Sequence, residues 1–373
     1  MKVLFWSSLA VIIFTYAGYP LLVYFRARLW PLPIRRSNIF PKITILLCAY
    51  NEENRLLEKL DNLAFVEYPK HCLDIVVVSD GSTDRTNEIL AKWTGPGQQS
   101  LILPVHRGKA AALNSGMGHV TGEIVVFTDS RQNLASDALK NLVANFADPA
   151  VGCVSGELMI CESPTNRSSD GIGLYWRLEK NIRLWEGLAG STVGATGAFY
   201  GVRRNLLRPI PEETILDDVY IPLLVVRQGR RVLFEPKALA WDPFIPTPRQ
   251  EFNRKLRTLF GNYQLLELAP WVLSASNPVL MQFVCHKLLR LLVPFALIAT
   301  FVSTFLLRND QYGFAFVTQV LFYGLAVLGL LRVNNGILSR LSNISLTFTL
   351  LNAAAAVAFL YFVTGRKAVW TKP

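Results

Sequence analysis

The chain opens with 23 consecutive residues that carry no charge, Val3–Phe25. A helix of this length crosses the roughly 30 Å of bilayer hydrocarbon, which needs about 20 residues. Arginines follow the run at positions 26, 28, 35 and 36, whereas only Lys2 precedes it. Because basic residues flanking a membrane helix stay on the cytoplasmic side, the pattern predicts a membrane anchor over residues 1–36 and a cytoplasmic domain after it.

Three further apolar runs lie near the other end of the chain, at Leu291–Leu307, Tyr312–Leu331 and Ile344–Val363. Residues 265–373 are therefore predicted to form an interfacial segment followed by membrane helices. Three crossings would put the basic residues 366–372 outside the cytoplasm, so either this short tail is tolerated there or one run does not cross. The stretch Leu265–Leu289 is compatible with an amphipathic interfacial helix and with a packed connector.

The net charge of +11 is concentrated at the two apolar ends. Residues 1–36 contribute +5 and residues 279–373 contribute +7, which leaves −1 for residues 37–278. A nucleic-acid-binding domain would need a basic patch on its soluble part, so nucleic acid is excluded as a partner and a lipid bilayer is expected. The five cysteines include no Cys-x-x-Cys pair and argue against a zinc site.

Apolar runs that predict strands alternate with helical patterns in the middle region. The strand candidates are Ile43–Cys48, Leu73–Val78, Leu101–Pro104 and Ile124–Thr128. Such alternation is typical of an α/β fold with a parallel sheet covered by helices. We therefore predict one α/β domain over residues 37–264.

Polar residues cluster where these predicted strands end. Asn51 and Glu52 follow the first strand, Asp80 follows the second, and Asp129 follows the fourth. In parallel sheets ligands bind at the carboxyl ends of the strands. The sequence therefore predicts a binding or active site at this edge.

Four motifs at these positions resemble those of membrane-bound family 2 glycosyltransferases, the branch that includes cellulose, chitin and hyaluronan synthases and bacterial exopolysaccharide synthases. They are Cys48-Ala-Tyr-Asn-Glu52, Val78-Ser-Asp-Gly-Ser-Thr-Asp84, Phe127-Thr-Asp-Ser130, and Leu216-Asp-Asp218 with a later Arg254-x-x-Arg257. The resemblance implies a nucleotide-diphospho-sugar transferase (GT-A type) domain with a mostly parallel sheet. It also implies a multi-pass protein of the cell's inner membrane with a cytoplasmic catalytic domain.

The resemblance assigns the donor nucleotide to the turns after the first two strands. Ala49, Asn51 and Glu52 would line the nucleotide pocket, although the turn also suits a helix cap. Asp80 would accept a hydrogen bond from the imide of uracil, so the donor is expected to be a UDP-sugar. Lys109 would lie near the diphosphate, as a cation suited to that charge.

Asp129 falls where the family usually carries Asp-x-Asp, the pair that holds a divalent cation on the sugar diphosphate. Here the second carboxylate is replaced by Arg131. We expect Mg²⁺ or Mn²⁺ at Asp129, with diphosphate oxygens completing the site. Arg131 is the alternative source of positive charge against the diphosphate.

Two adjacent acids, Asp217 and Asp218, occupy the place where the family carries Glu-Asp. The second acid is the general base in the family, which implies that Asp218 takes the proton of the attacking hydroxyl. Asp217 would shape the pocket, and both acids also suit a helix cap. Thr196 and Gly197 lie in a small-residue stretch that lines the acceptor side in the family, or forms a closely packed buried strand.

Arg254-x-x-Arg257 replaces the family's Gln-x-x-Arg-Trp. Arg257 matches and would clamp the leaving diphosphate, with Arg254 in the position of the glutamine. Thr258 stands where long-chain synthases carry the tryptophan that stacks on the acceptor sugar. The alternative is a basic amphipathic helix over residues 249–257 lying on anionic lipid.

The sequence thus predicts an inverting membrane glycosyltransferase that moves a sugar from a nucleotide donor, expected to be UDP-linked, to a growing surface polysaccharide or glycan. The first rival is transfer of one sugar to a polyprenyl phosphate or other lipid, which the missing tryptophan favours. A catalytically inactive scaffold of a polysaccharide complex is the rival from another class, and intact Asp80 and Asp218 argue against it.

Overall fold

The computed structural model describes residues 1–160, 170–243, 247–331 and 336–366 of the 373-residue chain. An α/β domain is flanked by apolar helices from both ends of the chain. Its eight strands are β1 Ile43–Ala49, β2 Leu73–Asp80, β3 Gln98–Leu103, β4 Ile124–Asp129, β5 Asn133–Leu134, β6 Val151–Ile160, β7 Phe199–Arg203 and β8 Arg231–Asp242.

The eight strands form one mixed sheet in the order β3-β2-β1-β4-β7-β6-β8-β5. The first four are all parallel, β7 is antiparallel to both β4 and β6, and β6 pairs in parallel with β8. The four predicted strands coincide with β1 to β4 within a few residues. The predicted α/β class with a mostly parallel sheet is confirmed.

Both faces of the sheet are buried, because helices cover each of them. Along β1, Ile43, Ile45 and Leu47 point into one hydrophobic cluster while Leu46 points into the other. This explains why the strand reads as a continuous apolar run rather than as an alternating one. The helices of the domain are α3 Leu56–Phe65, α4 Thr86–Lys92, α5 Lys109–Met117, α6 Ala138–Val143, α7 Asp170–Ala189, α8 Asp217–Arg227 and α9 Pro248–Leu268.

Among the described residues, four helices are long and apolar enough to cross a membrane: Lys2–Leu29, Leu280–Leu306, Gly313–Leu330 and Gly336–Val363. The first is made of α1 Lys2–Ile13 and α2 Tyr19–Leu29 joined by one π-helical turn, and the second of α10 Leu280–Gln282 and α11 Leu289–Leu306 joined by another. The last two are α12 and α13. The four predicted apolar runs are thus confirmed as helices. The tail residues 367–373 lie outside the described part of the chain.

The stretch from Leu265 to Leu289 packs against the α/β domain. Leu265, Val272, Val279 and Phe283 belong to the hydrophobic core on one face of the sheet. The predicted boundary at residue 264 falls inside α9, and residues from Leu280 onward continue into the second long helix.

Helices α7 and α9 connect the α/β domain to the apolar helices. Helix α7 packs on α2 and on α13, and α9 packs on α13. Since the same two helices carry Arg183 and Arg257, the edge of the sheet that the sequence singled out lies close to the apolar helices.

Candidate active site

Two carboxylates lie at the carboxyl edge of the parallel strands, one on each side of β1. β1 pairs with β2 on one side and with β4 on the other, so Asp80 and Asp129 terminate the strands that flank β1. Ala49 ends β1 between them and is buried. The parallel register thus brings together three of the predicted donor positions.

The Asp80 carboxylate is buried and binds the loop that precedes α5. Its Oδ1 accepts the backbone N–H of Arg107 at 3.0 Å, and its Oδ2 accepts that of Gly108 at 2.8 Å. His106 Nδ1 lies 2.8 Å from Oδ2, and the His106 ring stacks on Tyr50 with 3.8 Å between centroids. Asp80 therefore fixes the start of α5, a role beyond the base recognition that the sequence suggested.

The turn after β1 is tied to the turn after β2. Asn51 adopts a left-handed conformation with φ 53°, and its Oδ1 accepts the N–H of Thr83 at 2.7 Å. The N–H of Glu52 donates to Thr86 Oγ1 at 2.8 Å. The Asn51 side chain thus fastens one turn to the other, which shapes the rim of the cleft.

Lys109 is the first residue of α5 and links two of the acidic positions. Its Nζ lies 2.9 Å from Asp129 Oδ1 and 3.4 Å from Asp217 Oδ2. Burial alone would lower the pKa of this lysine, but the two carboxylates outweigh burial and raise it. A protonated ammonium is thereby held between β4 and α8.

Asp217 and Asp218 begin α8, where the unpaired N–H groups of a helix start favour acidic side chains. Asp218 Oδ2 accepts the N–H of Gly197 at 3.1 Å. A Cβ added at Gly197 would lie 3.1 Å from the same oxygen, so a larger residue here would push the Asp218 carboxylate away by a few tenths of an ångström.

The pKa of Asp218 is raised to about 6, first by burial and then by the adjacent Asp217. Lys109, Lys287 and Arg183 oppose this rise. A carboxylate with a pKa just below neutral is both ionised at pH 7 and basic enough to take a proton. Asp217 is buried, with Tyr200 Oη at 3.5 Å, and faces Lys109.

The two arginines of the Arg-x-x-Arg motif differ in their surroundings. Arg257 is close enough to Asp217, Asp129 and Asp218 for all three to raise its pKa, while burial, the larger effect, lowers it. Arg254 instead forms hydrogen bonds of 2.9 and 2.8 Å with Glu251 and lies over the ring of Trp176. Arg257 thus joins the acidic cluster, and Arg254 is engaged one turn away.

Arg131 points toward the end of β8. Its Nε and Nη2 lie 3.1 and 2.8 Å from Oδ2 of the buried Asp242, which also accepts from Gln132 at 2.9 Å. The guanidinium is therefore paired with a carboxylate that sequence reasoning did not single out. That pairing competes with the predicted contact between Arg131 and a diphosphate.

Two basic residues near the site belong to none of the four motifs, so they were not predicted from the sequence. Lys59 is fully buried below β4, and its Nζ donates to Thr128 Oγ1 at 3.0 Å and to the carbonyl of Gln132 at 2.5 Å. Arg183 on α7 donates to Thr196 Oγ1 at 2.9 Å. The sequence signal for Lys59 was its position among the apolar residues of a helical pattern.

Within the four described ranges, no three His, Cys, Asp or Glu side chains converge on a point where they would hold a metal ion. Asp129 is the one carboxylate at the usual metal position, and Lys109 contacts it. The donor set is compatible with a divalent cation when diphosphate oxygens complete the shell, since hard cations take six or more oxygens.

The sequence model of the glycosyl transferase family 2 matches residues 44–210. The chain is similar to a poly-beta-1,6-N-acetyl-D-glucosamine synthase of Staphylococcus aureus, with 26% identity over 229 residues. The synthase of Staphylococcus epidermidis is 25% identical over the same length. These matches cover 60% of this chain and 55% of each relative, so the chain spans about half the length of the relatives it matches.

Among solved structures, a mannosyltransferase from Pyrobaculum calidifontis in complex with GDP-mannose and Mn²⁺ shares the fold. The TM-score is 0.73 at 24% identity, and the match covers 98% of this chain and 100% of that one. The shared architecture includes the apolar helices at both ends, since nearly the whole length of both chains is superposed.

Proposed function

We propose that this chain, whose residues 44–210 form a glycosyl transferase family 2 domain, is an inverting glycosyltransferase of the cell's inner membrane. It moves one sugar from a nucleotide donor to a growing surface polysaccharide or other glycan. In this proposal residues 1–36 anchor the chain, residues 37–264 carry out catalysis in the cytoplasm, and residues 265–373 hold the acceptor side in the membrane.

The observation that carries the proposal is the position of Asp218. It lies at the start of α8 beside the Lys109–Asp129 pair, its Oδ2 is held by the Gly197 N–H at 3.1 Å, and its pKa is about 6. A general base needs this combination of fixed geometry and a pKa near the working pH.

Transfer is a single displacement. The acceptor hydroxyl attacks the anomeric carbon from the side opposite the diphosphate, Asp218 takes the hydroxyl proton, and the bond to the diphosphate oxygen breaks with inversion. Lys109 and Arg257 face the charge that develops on the leaving group, and such preorganised cations lower the barrier. Asp217 keeps Lys109 oriented through their 3.4 Å contact.

The donor is proposed to be a UDP-sugar bound over Ala49, Asn51, Glu52 and Asp80. Support comes from the rim that Asn51 and Thr83 form and from the start of α5, where Asp80 fixes the loop at 2.8–3.0 Å. The N-terminus of α5 presents backbone N–H groups and Lys109 to an anion.

Mg²⁺ or Mn²⁺ is proposed to bind at Asp129 together with the diphosphate. When bound, the cation would neutralise charge on the leaving group. Lys109 contacts the same carboxylate, and the Lys59 ammonium is buried behind the adjacent Thr128. The charge of Lys109 weakens cation binding at Asp129, and the donor's own negative charge has to offset it. Lys59 contributes less, because burial lowers its pKa to about 7.

Transfer to a lipid-linked acceptor is the second candidate, and one observation favours it. Thr258 takes the place of the aromatic residue that would stack on a sugar, and its Oγ1 donates to the carbonyl of Arg254 at 3.0 Å. The cleft therefore lacks that platform at this position of α9, which reduces the support for a processive polymerase.

A panel of radiolabelled nucleotide sugars, including GDP-mannose, incubated with the purified full-length protein tests the proposal. We expect one UDP-sugar to be consumed and its label to appear in a glycan or lipid product. Product length by mass spectrometry separates the polymer from the single-sugar product. If no nucleotide sugar binds or is consumed, the proposed activity is wrong and the scaffold alternative stands.

A further inference from the structure

A buried polar cluster joins the first apolar helix, α7 and the second apolar helix. Glu186 on α7 accepts from Tyr19 Oη at 2.5 Å and from Thr192 Oγ1 at 2.9 Å, and His286 Nδ1 lies 2.9 Å from the same carboxylate. Tyr19, Glu186 and His286 are each at most 1% exposed. Hydrogen bonds satisfy this side of the cluster, which fixes α7 against both apolar helices.

The second acid of α7, Glu179, is surrounded by cations. Its carboxylate lies 2.6 Å from Arg290 Nη1, 3.0 Å from His286 Nε2 and 3.3 Å from Arg183 Nε. One carboxylate thus faces two guanidinium groups as well as the histidine. The positive charge around it exceeds the negative charge that it supplies.

Lys287 adds a further cation beside this group. Within the described part of the chain its ammonium has no hydrogen-bond or ion-pair partner, although Glu179, Arg183, Arg290 and Asp218 are all near enough to interact with its charge. The side chain is partly buried. Lys287, Arg183 and Arg290 supply three positive charges here, against two negative charges from Glu179 and Asp218. The group can therefore accept an anion from outside the chain, because partly buried charges are stabilised by a counter-ion.

The depth of Lys287 indicates where that anion comes from. The second apolar helix runs from Leu280 to Leu306. About 20 helical residues span the hydrocarbon, and counting back from Leu306 reaches Lys287. Lys287 and Arg290 therefore fall at the level of the lipid headgroups, where phosphate is the prevalent anion.

A continuous polar path runs from this group to the proposed base. Arg183 contacts Glu179 through Nε and donates to Thr196 Oγ1 at 2.9 Å through Nη1. The next residue, Gly197, donates its N–H to Asp218 Oδ2 at 3.1 Å. An anion held by Lys287 and Arg183 would thus lie on the acceptor side, away from Lys109 and the donor.

We infer that Lys287 and Arg183 bind the phosphate of a lipid-linked sugar acceptor and present a hydroxyl of that sugar to Asp218. The inference rests on the proposed function and narrows its acceptor to a phosphate-bearing lipid. The lipid phosphate is bound and not consumed. The new bond joins the acceptor oxygen to the anomeric carbon, the proton passes to Asp218, and the electron pair leaves with the nucleotide diphosphate.

The test uses full-length protein in nanodiscs of phosphatidylcholine, with geranyl phosphate as the probe and geraniol as its phosphate-free counterpart. We expect the unmodified protein to bind geranyl phosphate about tenfold to a hundredfold more tightly than geraniol, as a charge-assisted hydrogen bond allows. Lys287→Met should abolish the difference, and Lys287→Arg should retain it. Lys92→Met, an exposed lysine at the end of α4, is the matched control and should bind as the unmodified protein does.

Equal binding of geranyl phosphate and geraniol to the unmodified protein would overturn the inference, as would a preference that survives Lys287→Met. Discs containing phosphatidylglycerol separate the sources of phosphate, because a bilayer headgroup that competes as well as geranyl phosphate rules out a dedicated acceptor site. Binding of nucleotide sugar, measured in the same discs, should be the same in all variants. If the unmodified protein binds no nucleotide sugar, the proposed function is wrong. If it binds nucleotide sugar but does not prefer geranyl phosphate over geraniol, only this inference is wrong.

Discussion

The proposed cleft has two walls that are built in different ways. The donor wall consists of the ends of β1, β2 and β4 with the start of α5, and its acidic side chains lie at or just after the end of a strand. The membrane wall consists of α7, α9 and the helix that begins at Leu280, and its charged side chains come from helices far apart in sequence. The donor wall can therefore be predicted from the ends of strands in the sequence. The membrane wall forms only when helices that are distant in sequence pack together.

Asp218 lies where the two walls meet, so removing its charge has the largest expected effect. Asp218→Asn preserves shape but cannot take a proton, and transfer should fall by about 10²–10⁴-fold. Nucleotide-sugar binding, measured by calorimetry, should stay nearly unchanged. Asp217→Asn should be milder, because Asp217 is given no proton transfer. If Asp217→Asn abolishes transfer while Asp218→Asn leaves it intact, the two roles must be exchanged.

The donor wall is tested next through its cation. Lys109→Met removes the ammonium that lies 2.9 Å from Asp129, and we expect transfer to fall about 10²–10³-fold, as when one preorganised donor is removed. Affinity for free UDP should fall as well, because the same ammonium faces the diphosphate. Arg257→Met should lower transfer in the same direction. An unchanged affinity for UDP in Lys109→Met would assign Lys109 to holding the two carboxylates in place.

Much of the donor wall could be predicted from the sequence, because each strand and its terminal polar residue are local features. Asp80 and Asp129 lie at the same edge of the sheet, because the parallel register of β1 with β2 and β4 aligns the strand ends, and Lys109 contacts Asp129. The sequence did not indicate that Asp80 binds backbone N–H groups or that Arg131 pairs with Asp242. Both pairings depend on where a distant loop or strand ends in the folded sheet.

The membrane wall could not be read in this way. Glu179 and His286 are 107 positions apart in the chain and meet only because α7 packs against the apolar helices. In the sequence, Lys287 is only one charged residue close to the start of an apolar run. The periodicity of apolar residues indicates which face of a helix is buried. It does not identify the polar side chain of another element that contacts that face.

Metal dependence distinguishes Asp129 from the cations around it. Asp129→Ala should lower transfer about tenfold and raise the Mg²⁺ or Mn²⁺ concentration needed for half-maximal rate, since the site loses its one protein carboxylate. Titration of the unmodified protein with EDTA is the direct measurement. Full activity in EDTA would mean that protein cations carry the charge of the leaving group. In that event Arg131→Asp would be expected to create a metal requirement.

The pH profile tests the environment that both walls create around Asp218. The base must be ionised to act, so a pKa of about 6 predicts a flat rate above pH 7 and a fall of about tenfold per unit below pH 6. Lys287→Met and Arg183→Met remove cations that favour the ionised form, and each should move the fall to higher pH. Arg183→Lys keeps the charge and should restore the original profile. If the pH profile is unchanged in both Lys287→Met and Arg183→Met, the group that titrates is not Asp218.

The smallest expected effect belongs to Arg254, which the sequence placed among the donor-binding residues. Its guanidinium is committed to Glu251 three residues earlier in α9 and lies 5.4 Å from the ring of Trp176. A partly exposed ion pair of this kind contributes about 0–1 kcal/mol. Arg254→Met should therefore change transfer less than about twofold and leave affinity for UDP intact. Arg257→Met, one helical turn away and close to three carboxylates, is the matched contrast. If Arg254→Met lowers transfer as far as Arg257→Met does, Arg254 releases Glu251 when the donor binds, and the donor wall then extends along α9 to the membrane.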